Sequence, residues 1–264
     1  MQIGDTVSAT MHLMTSDLFI LTGASRGMGL AMAEQLLSPQ HVLLCISRHT
    51  NAALAAQAGQ SGASLEQQTL NLQDPLLAAS ALTQWLKEAS SRRFTSATLI
   101  NNAGTIPAIA PLSGSDPIEL SQALRVGLEA PMLLTSAFLN ATQSWGIPRR
   151  VLNISSGLGR RAMASQAAYC AAKAGMDHFT RCLALDEALQ TNGAKVCSLA
   201  PGVIDTDMQV QLRTANPADF PDQANYSRLK DGGQLSSPSD AARQVLAFLF
   251  KPEFGTTPVA DVRE

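Results

Sequence analysis

Apolar and polar positions along this chain follow two alternating periods. Short apolar runs predict strands at residues 18–22, 41–46, 97–100, 150–154 and 194–199, with a weaker one at 65–70 and a last at 258–262. Longer amphipathic segments between them predict helices over 27–37, 52–60, 75 to about 90, 118–145, 166–189 and 239–250. Pro75 suits the first turn of its helix. Gly127 and Pro131 interrupt the segment 118–145, and Pro131 is expected to kink that helix or remove a hydrogen bond. Over 209–234 the periodicity fades into polar sequence containing Pro217 and Pro221, and no element is assigned there. Strands separated by helices with short connections predict the α/β class, a doubly wound, mostly parallel sheet of Rossmann type with helices on both faces.

Length and composition narrow this picture. A chain of 264 residues with no internal repeat or linker fits a single domain, here residues 17–264. Residues 1–16 are expected to be a loose extension, with Met11 and Met14 as alternative starts. Hydrophobic residues at 45% and charged residues at 15% allow a large core. The formal net charge is −2 and the basic residues are dispersed, which argues against a nucleic-acid or anionic-membrane partner. No apolar run reaches the ~18 residues of a bilayer span, and the start lacks the pattern of a secretion signal. Cys45, Cys170, Cys182 and Cys197 form no CxxC pair. They read as free thiols in a reducing, cytoplasmic setting, and no metal site is expected.

The candidate chemistry sits at strand ends. Thr22-Gly23-Ala24-Ser25-Arg26-Gly27-Met28-Gly29 joins the first strand to the first helix. Glycines there let the backbone approach a pyrophosphate, and a helix N-terminus favours an anion. Glycines that serve packing alone are the competing reading. The second strand ends in Ser47-Arg48, where an NAD site usually has an acid. Arg48 and Arg26 instead offer planar forks for a 2′-phosphate, unless both are merely solvated surface arginines. Tyr169 and Lys173 are one helical turn apart, so an ammonium near the phenol is expected to lower its pKa toward working pH. Taken alone, that pair is most simply a helix-surface contact. Ser155-Ser156 closes the fifth strand, with Ser156 thirteen positions before Tyr169.

With Asn101-Asn102-Ala103-Gly104 and Pro201-Gly202-Val203-Ile204-Asp205-Thr206, these motifs stand in an order and spacing that resembles the single-domain short-chain dehydrogenases/reductases, over roughly residues 17–262. The resemblance implies that Ser156 hydrogen-bonds a substrate carbonyl, Tyr169 delivers the proton, and Lys173 holds the nicotinamide ribose and tunes Tyr169. It implies NADP(H) as cofactor, with Asn71-Leu72 beside the adenine and Thr206 at the nicotinamide amide. Asn101, Asn102, Ala103, Gly104, Pro201, Gly202 and Val203 are expected around the same cleft. The stretches 157–161, 179–185, 200–209 and 220–238, and the ending Asp261-Val262-Arg263-Glu264, resemble the sepiapterin reductase and benzil reductase branch. That likeness implies reduction of a ketone or vicinal dicarbonyl of a small molecule.

Two departures stand out. Ser237 falls where sepiapterin reductases carry a pterin-anchoring acid, and Gly127 falls where many members have an Asn. Pro131 cannot donate to the Gly127 carbonyl in a regular helix, so that carbonyl is expected to be free and turned toward Lys173. The family also implies a homodimer or homotetramer through its long helices, where Ala167, Cys170, Ala171 and Ala174 form a stripe of a kind more often found in a core. An NAD(P)-dependent alcohol dehydrogenase and a non-catalytic dinucleotide sensor are the alternative functions. Arg48 argues against an NAD-dependent dehydrogenase, and the presence of both Tyr169 and Lys173 against a sensor.

Overall fold

The computed structural model describes residues 16–89 and 94–264. Among them, seven parallel strands form one sheet in the order β3-β2-β1-β4-β5-β6-β7. They are β1 (Ser16–Thr22), β2 (His41–Ser47), β3 (Ser64–Thr69), β4 (Phe94–Asn101), β5 (Arg149–Ile154), β6 (Lys195–Ala200) and β7 (Val259–Asp261). The central strands are covered on both faces, so β1 reads as the near-continuous apolar run Leu18, Phe19, Ile20, Leu21, each at most 2% exposed. Edge strand β3, SLEQQT, is half-exposed, which is why its pattern is weaker.

The helices α1 (Gly27–Leu36), α2 (Ala52–Ser61), α3 (Pro75–Glu88), α5 (Ala130–Thr142), α6 (Ala167–Ala188) and α9 (Pro238–Leu249) lie close to their predicted positions. On one face α1 and α9 pack Met32, Leu36, Val245 and Leu249 against Phe19, Leu21 and Leu43. On the other, α3, α5 and α6 pack Leu82, Leu86, Leu134, Phe138 and Leu183 against Leu18, Ile20 and Leu99. The sequence of strands reverses direction between β1 and β4, and the crevice at that switch lies at their carboxyl ends.

Three expectations need adjustment. Residues 118–145 are not one helix: α4 (Pro117–Leu124) passes through a π-helical turn (Arg125–Glu129) into α5, and a 3₁₀ turn follows at Gln143–Trp145. The interruption expected at Gly127 and Pro131 thus takes the form of a widened turn, in which the Ala130 N–H donates to the Arg125 carbonyl. Residues 209–234 do hold helices, α7 (Asp207–Arg213) and α8 (Gln223–Asp231). Their polar sequence hid them because each turns only a few apolar side chains inward, among them Leu212 and Tyr226. Asp205 accepts from Lys230 at 2.6 Å and Arg213 at 3.4 Å. Thirdly, the extension expected over 1–16 lies outside the described residues except for Ser16, which opens β1.

Candidate active site

The Gly-rich loop is built by packing between neighbouring strands. Gly23 has φ +72°, and a Cβ there would lie 2.9 Å from the Ala103 Cα; a Cβ on Gly29 would lie 2.1 Å from the Gly23 carbonyl oxygen. Both glycines therefore serve close packing, and that packing sets the loop across the carboxyl end of β1. Side chains lock it there. The Thr22 hydroxyl accepts from the Asn102 and Ala103 N–H groups, both at 3.0 Å. Asn102 donates back to the Thr22 carbonyl at 3.0 Å, and the Ser47 hydroxyl accepts from the Ala24 N–H at 2.8 Å. Asn102 and Ser47, predicted as cofactor contacts, thus also fix the loop that would carry the cofactor.

The residues proposed for catalysis come from β5 and α6. Ser156 follows β5, accepts from the Leu158 N–H at 3.2 Å and shares a hydrogen bond with the Tyr169 hydroxyl. Tyr169 and Lys173 lie one turn apart near the start of α6, with the Lys173 Nζ 5.8 Å from the centre of the Tyr169 ring. Lys173 is 4% exposed and donates to the Ile154 carbonyl at 2.7 Å. Burial pushes its ammonium down to about 8, opposed by the Asp177 carboxylate one turn further along. Asp177 is itself buried, accepting from the Ser198 hydroxyl at 2.7 Å and from Arg160 at 3.5 Å.

The phenol behaves differently from expectation. Burial pushes Tyr169 up to about 12, with the Ser156 hydrogen bond acting in the opposite sense. Desolvation of the phenolate is the largest cause of that rise.

All the predicted residues except one line a single cleft of about 1300 Å³. Gly23, Ser25, Arg26, Gly27, Met28 and Gly29 form its floor at β1. Ser47, Arg48, Asn71 and Leu72 lie at the β2–β3 end, while Asn102, Ala103 and Gly104 follow β4. Ser156, Tyr169 and Lys173 face Pro201, Gly202, Val203 and Thr206 across the other end. The exception is Asn101, which is 1% exposed and donates to Thr135 at 3.1 Å and Asn153 at 2.9 Å. Strand alternation turns it into the α5–α6 face instead of the cleft. Arg48 is exposed at the cleft edge, whereas Arg26 donates to Asp207 at 2.5 Å, bridging the Gly-rich loop to α7.

Beyond Tyr169 the cleft is lined by the apolar side chains of Ile106, Leu158, Met163 and Leu212, with Met208 and Tyr226 beside them and the fully buried Phe220 packed behind. Gln166 and Gln209 also line the cleft. None of these was given a site role from the sequence, although Leu158, Met208, Gln209 and Tyr226 fall in the stretches that resemble the reductase branch. Asp177 carried a readable signal, its four-residue step from Lys173. The role of the pocket residues was not legible, because they converge from a loop after β4, the approach to α6, α7 and α8.

A doubly wound sheet with a phosphate-type loop, and Ser, Tyr and Lys gathered at the far end of its crevice, defines a nucleotide-cofactor oxidoreductase fold. The short chain dehydrogenase family model matches residues 17–217, and the chain belongs to that family. It is 35% identical to the benzil reductase ((S)-benzoin forming) of Bacillus cereus over 93% of this chain and 98% of that protein. It is 33% identical to the sepiapterin reductase of Meriones unguiculatus, over 89% of this chain and 92% of that protein. A short-chain dehydrogenase/reductase from Burkholderia vietnamiensis superimposes with a TM-score of 0.60 at 32% identity, covering 94% of this chain and 97% of the other. The similarity therefore runs to the branch that the sequence motifs resemble, and the chain is an oxidoreductase of this family.

Proposed function

We propose that this oxidoreductase is an NADPH-dependent carbonyl reductase that acts on a ketone or 1,2-dicarbonyl of a small molecule. The observation that carries this reading is one continuous cleft, with Arg48 and the Gly-rich loop at one end and Ser156, Tyr169 and Lys173 beside an apolar pocket at the other. NADPH, held by the Gly-rich loop and Arg48, would supply the hydride for the carbonyl carbon. Ser156 donates a hydrogen bond to the carbonyl oxygen, and Tyr169 gives that oxygen its phenolic proton as charge develops. Lys173 would hold the ribose hydroxyls and steady the phenolate that remains. With its pKa raised, Tyr169 is protonated at neutral pH, the form that reduction consumes. Arg48 would take the 2′-phosphate, Asn71 and Leu72 would flank the adenine, and Thr206 would meet the nicotinamide amide.

Among the described residues no helix is long and apolar enough to cross a membrane. We place the enzyme in the cytoplasm, as a homodimer or homotetramer joined through α4, α5 and α6. Ile118 at 66%, Leu185 at 71% and Leu189 at 84% exposure support that interface. So do Ala167, Ala171 and Ala174, which are exposed on α6 and therefore are not core.

Measuring NADPH consumption against a panel of 1,2-diketones, simple ketones and sepiapterin tests the proposal. Apolar 1,2-diketones are expected to be turned over best. Sepiapterin is expected to be poor, because Ser237 caps α9 through the Asp240 N–H at 3.0 Å and supplies no anchoring charge. NADPH binding with no carbonyl consumed would return the chain to a sensor role.

A further inference from the structure

The cleft is cationic although the chain is not. Among the described residues six cationic side chains and three carboxylates line it, in a chain whose formal net charge is −2. On the reading above, Arg26, Arg48 and Lys173 serve the cofactor, and Arg263 is held by Asp261 at 2.6 Å. Arg161 and Arg228 remain. The carboxylates do not answer them: Asp205 pairs with Lys230, Asp207 with Arg26, and Asp222 accepts from the Asn225 amide at 2.8 Å. Arg228 donates to the Asn225 carboxamide oxygen. Arg161 is exposed and makes no hydrogen bond or ion pair among the described residues.

Near Arg161 stands a donor with a poor partner. Tyr226 of α8 is half-buried and lines the cleft, packed on the same apolar cluster as Tyr169 and Cys170. Its ring rests on Phe220, with centroids 5.6 Å apart. Its hydroxyl donates to the Met163 Sδ at 3.4 Å, and a thioether is a weak acceptor. Burial raises the Tyr226 phenol, Arg161 opposes that rise, and Asp222 adds to it. Burial likewise raises the Cys170 thiol, and Arg161 again acts against it. The guanidinium of Arg161 and the hydroxyl of Tyr226 therefore share the corner of the cleft beside Tyr169.

We infer that Arg161 and the Tyr226 hydroxyl form a subsite for an anionic group of the substrate, a carboxylate in the simplest case, carried apart from the carbonyl that is reduced. This rests on the carbonyl-reductase reading above and adds to it a substrate class: a carbonyl compound with an apolar body and one anionic end. A guanidinium and a phenolic O–H are both donors to a carboxylate, and hydrogen bonds to an ionised acceptor are about twice as strong as neutral ones. Tyr226 would exchange a thioether for such an acceptor. Arg161 would break no bond of the protein to reach it. Arg228 adds positive potential at the same mouth, against the single charge of Asp222. Because Arg161 is exposed, its attraction is screened by salt, which gives the subsite a signature that shape alone does not have.

The test compares wild type with Arg161→Gln, Arg161→Lys and Tyr226→Phe on 4-carboxybenzil and benzil. The ratio of kcat/KM for the two diketones with NADPH is read at low and high salt, and calorimetric titration gives the affinity for each. Taking the ratio within each variant cancels any general loss of activity. Wild type should favour 4-carboxybenzil by about tenfold at low salt, and the preference should shrink as salt rises. Arg161→Gln should abolish the preference, Arg161→Lys should keep most of it, and Tyr226→Phe should reduce it by about threefold. A wild type that reduces both diketones equally well would overturn the subsite and leave the reductase reading standing. So would a preference that survives in Arg161→Gln; weakened NADPH binding in that variant would then assign the arginine to the cofactor. A protein that binds 4-carboxybenzil more tightly than benzil, loses that difference in Arg161→Gln and reduces neither would uphold the subsite and overturn the reductase reading.

Discussion

At the scale of single residues, burial competes with charge. Tyr169 and Lys173 are each pushed toward their neutral forms, up to about 12 and down to about 8. The phenol is thus loaded with its proton, and replacing Tyr169 with Phe should lower kcat by about 10²–10⁴ while NADPH binding persists, as read by stopped turnover and by titration. Wild-type turnover in that variant would remove Tyr169 from the reaction. The lysine sets a pH limb. Its ammonium is present below about 8 and lost as pH rises through that value, so kcat/KM for reduction should decline above about pH 8. The Asp177 carboxylate raises the Lys173 pKa, so Asp177→Asn must shift the limb to lower pH. A pH profile that does not move, or moves upward, would contradict the coupling. Arg48 is exposed at the cleft edge, free to meet a 2′-phosphate bidentately. NADPH should bind at least about tenfold tighter than NADH, a difference of ~1.4 kcal/mol, and Arg48→Asp should reverse much of it. Equal affinities in wild type would defeat this assignment.

At the scale of elements, the junction of α4 and α5 shows how a local irregularity and a packing contact depend on each other. The π-helical turn at Arg125–Glu129 rests on α6, and a Cβ on Gly127 would lie 3.0 Å from the Ala172 Cβ, next to Lys173. Ala172 cannot rotate that atom away. Two effects oppose one another in Gly127→Ala: helix propensity favours Ala by about 1 kcal/mol, and overpacking costs about 1–3 kcal/mol. The contact lies between two helix-borne Cβ positions, so overpacking should prevail and the melting temperature should drop. The same contact means that any larger side chain at 127 would require this turn and α6 to separate slightly. Gly127 is therefore a feature of this close approach, and a raised melting temperature in Gly127→Ala would refute that account.

At the scale of the whole molecule, the exposed face of α6 points to assembly. Positions 167, 171, 174, 178, 185 and 189 fall on one side of the helix at 3.6 residues per turn, and all six are exposed. Ile118, Leu124 and Met132 add exposed apolar area on α4 and α5. Soluble single chains seldom leave such a patch uncovered. Sedimentation should therefore give two or four times the 27.9 kDa chain mass, and Leu185→Glu should shift the distribution toward the lighter species. A wild-type protein that sediments as a single chain at micromolar concentration would rule the interface out.

Local patterning determined much of this protein. Continuous apolar runs marked the buried strands, because a parallel sheet covered on both faces leaves no polar side to alternate with. The glycine loop, Ser156, Tyr169 and Lys173 were legible because their arrangement in the cleft follows from spacing along one turn, one strand end and one helix. What distance in sequence separates, only the fold could join. Strand alternation turned Asn101 away from the cleft and Asn102 toward it. Desolvation, which no motif encodes, raised the phenol where a neighbouring ammonium alone would have lowered it. In the polar segment 209–234, α7 and α8 pack a few apolar side chains, Met208, Leu212, Phe220 and Tyr226, into one cluster and are bridged by ion pairs such as Asp205–Lys230. Those two helices brought Gln209 and Tyr226 to within one pocket of Tyr169 because burial depends on what surrounds a residue in space, and the chain alone does not carry that information.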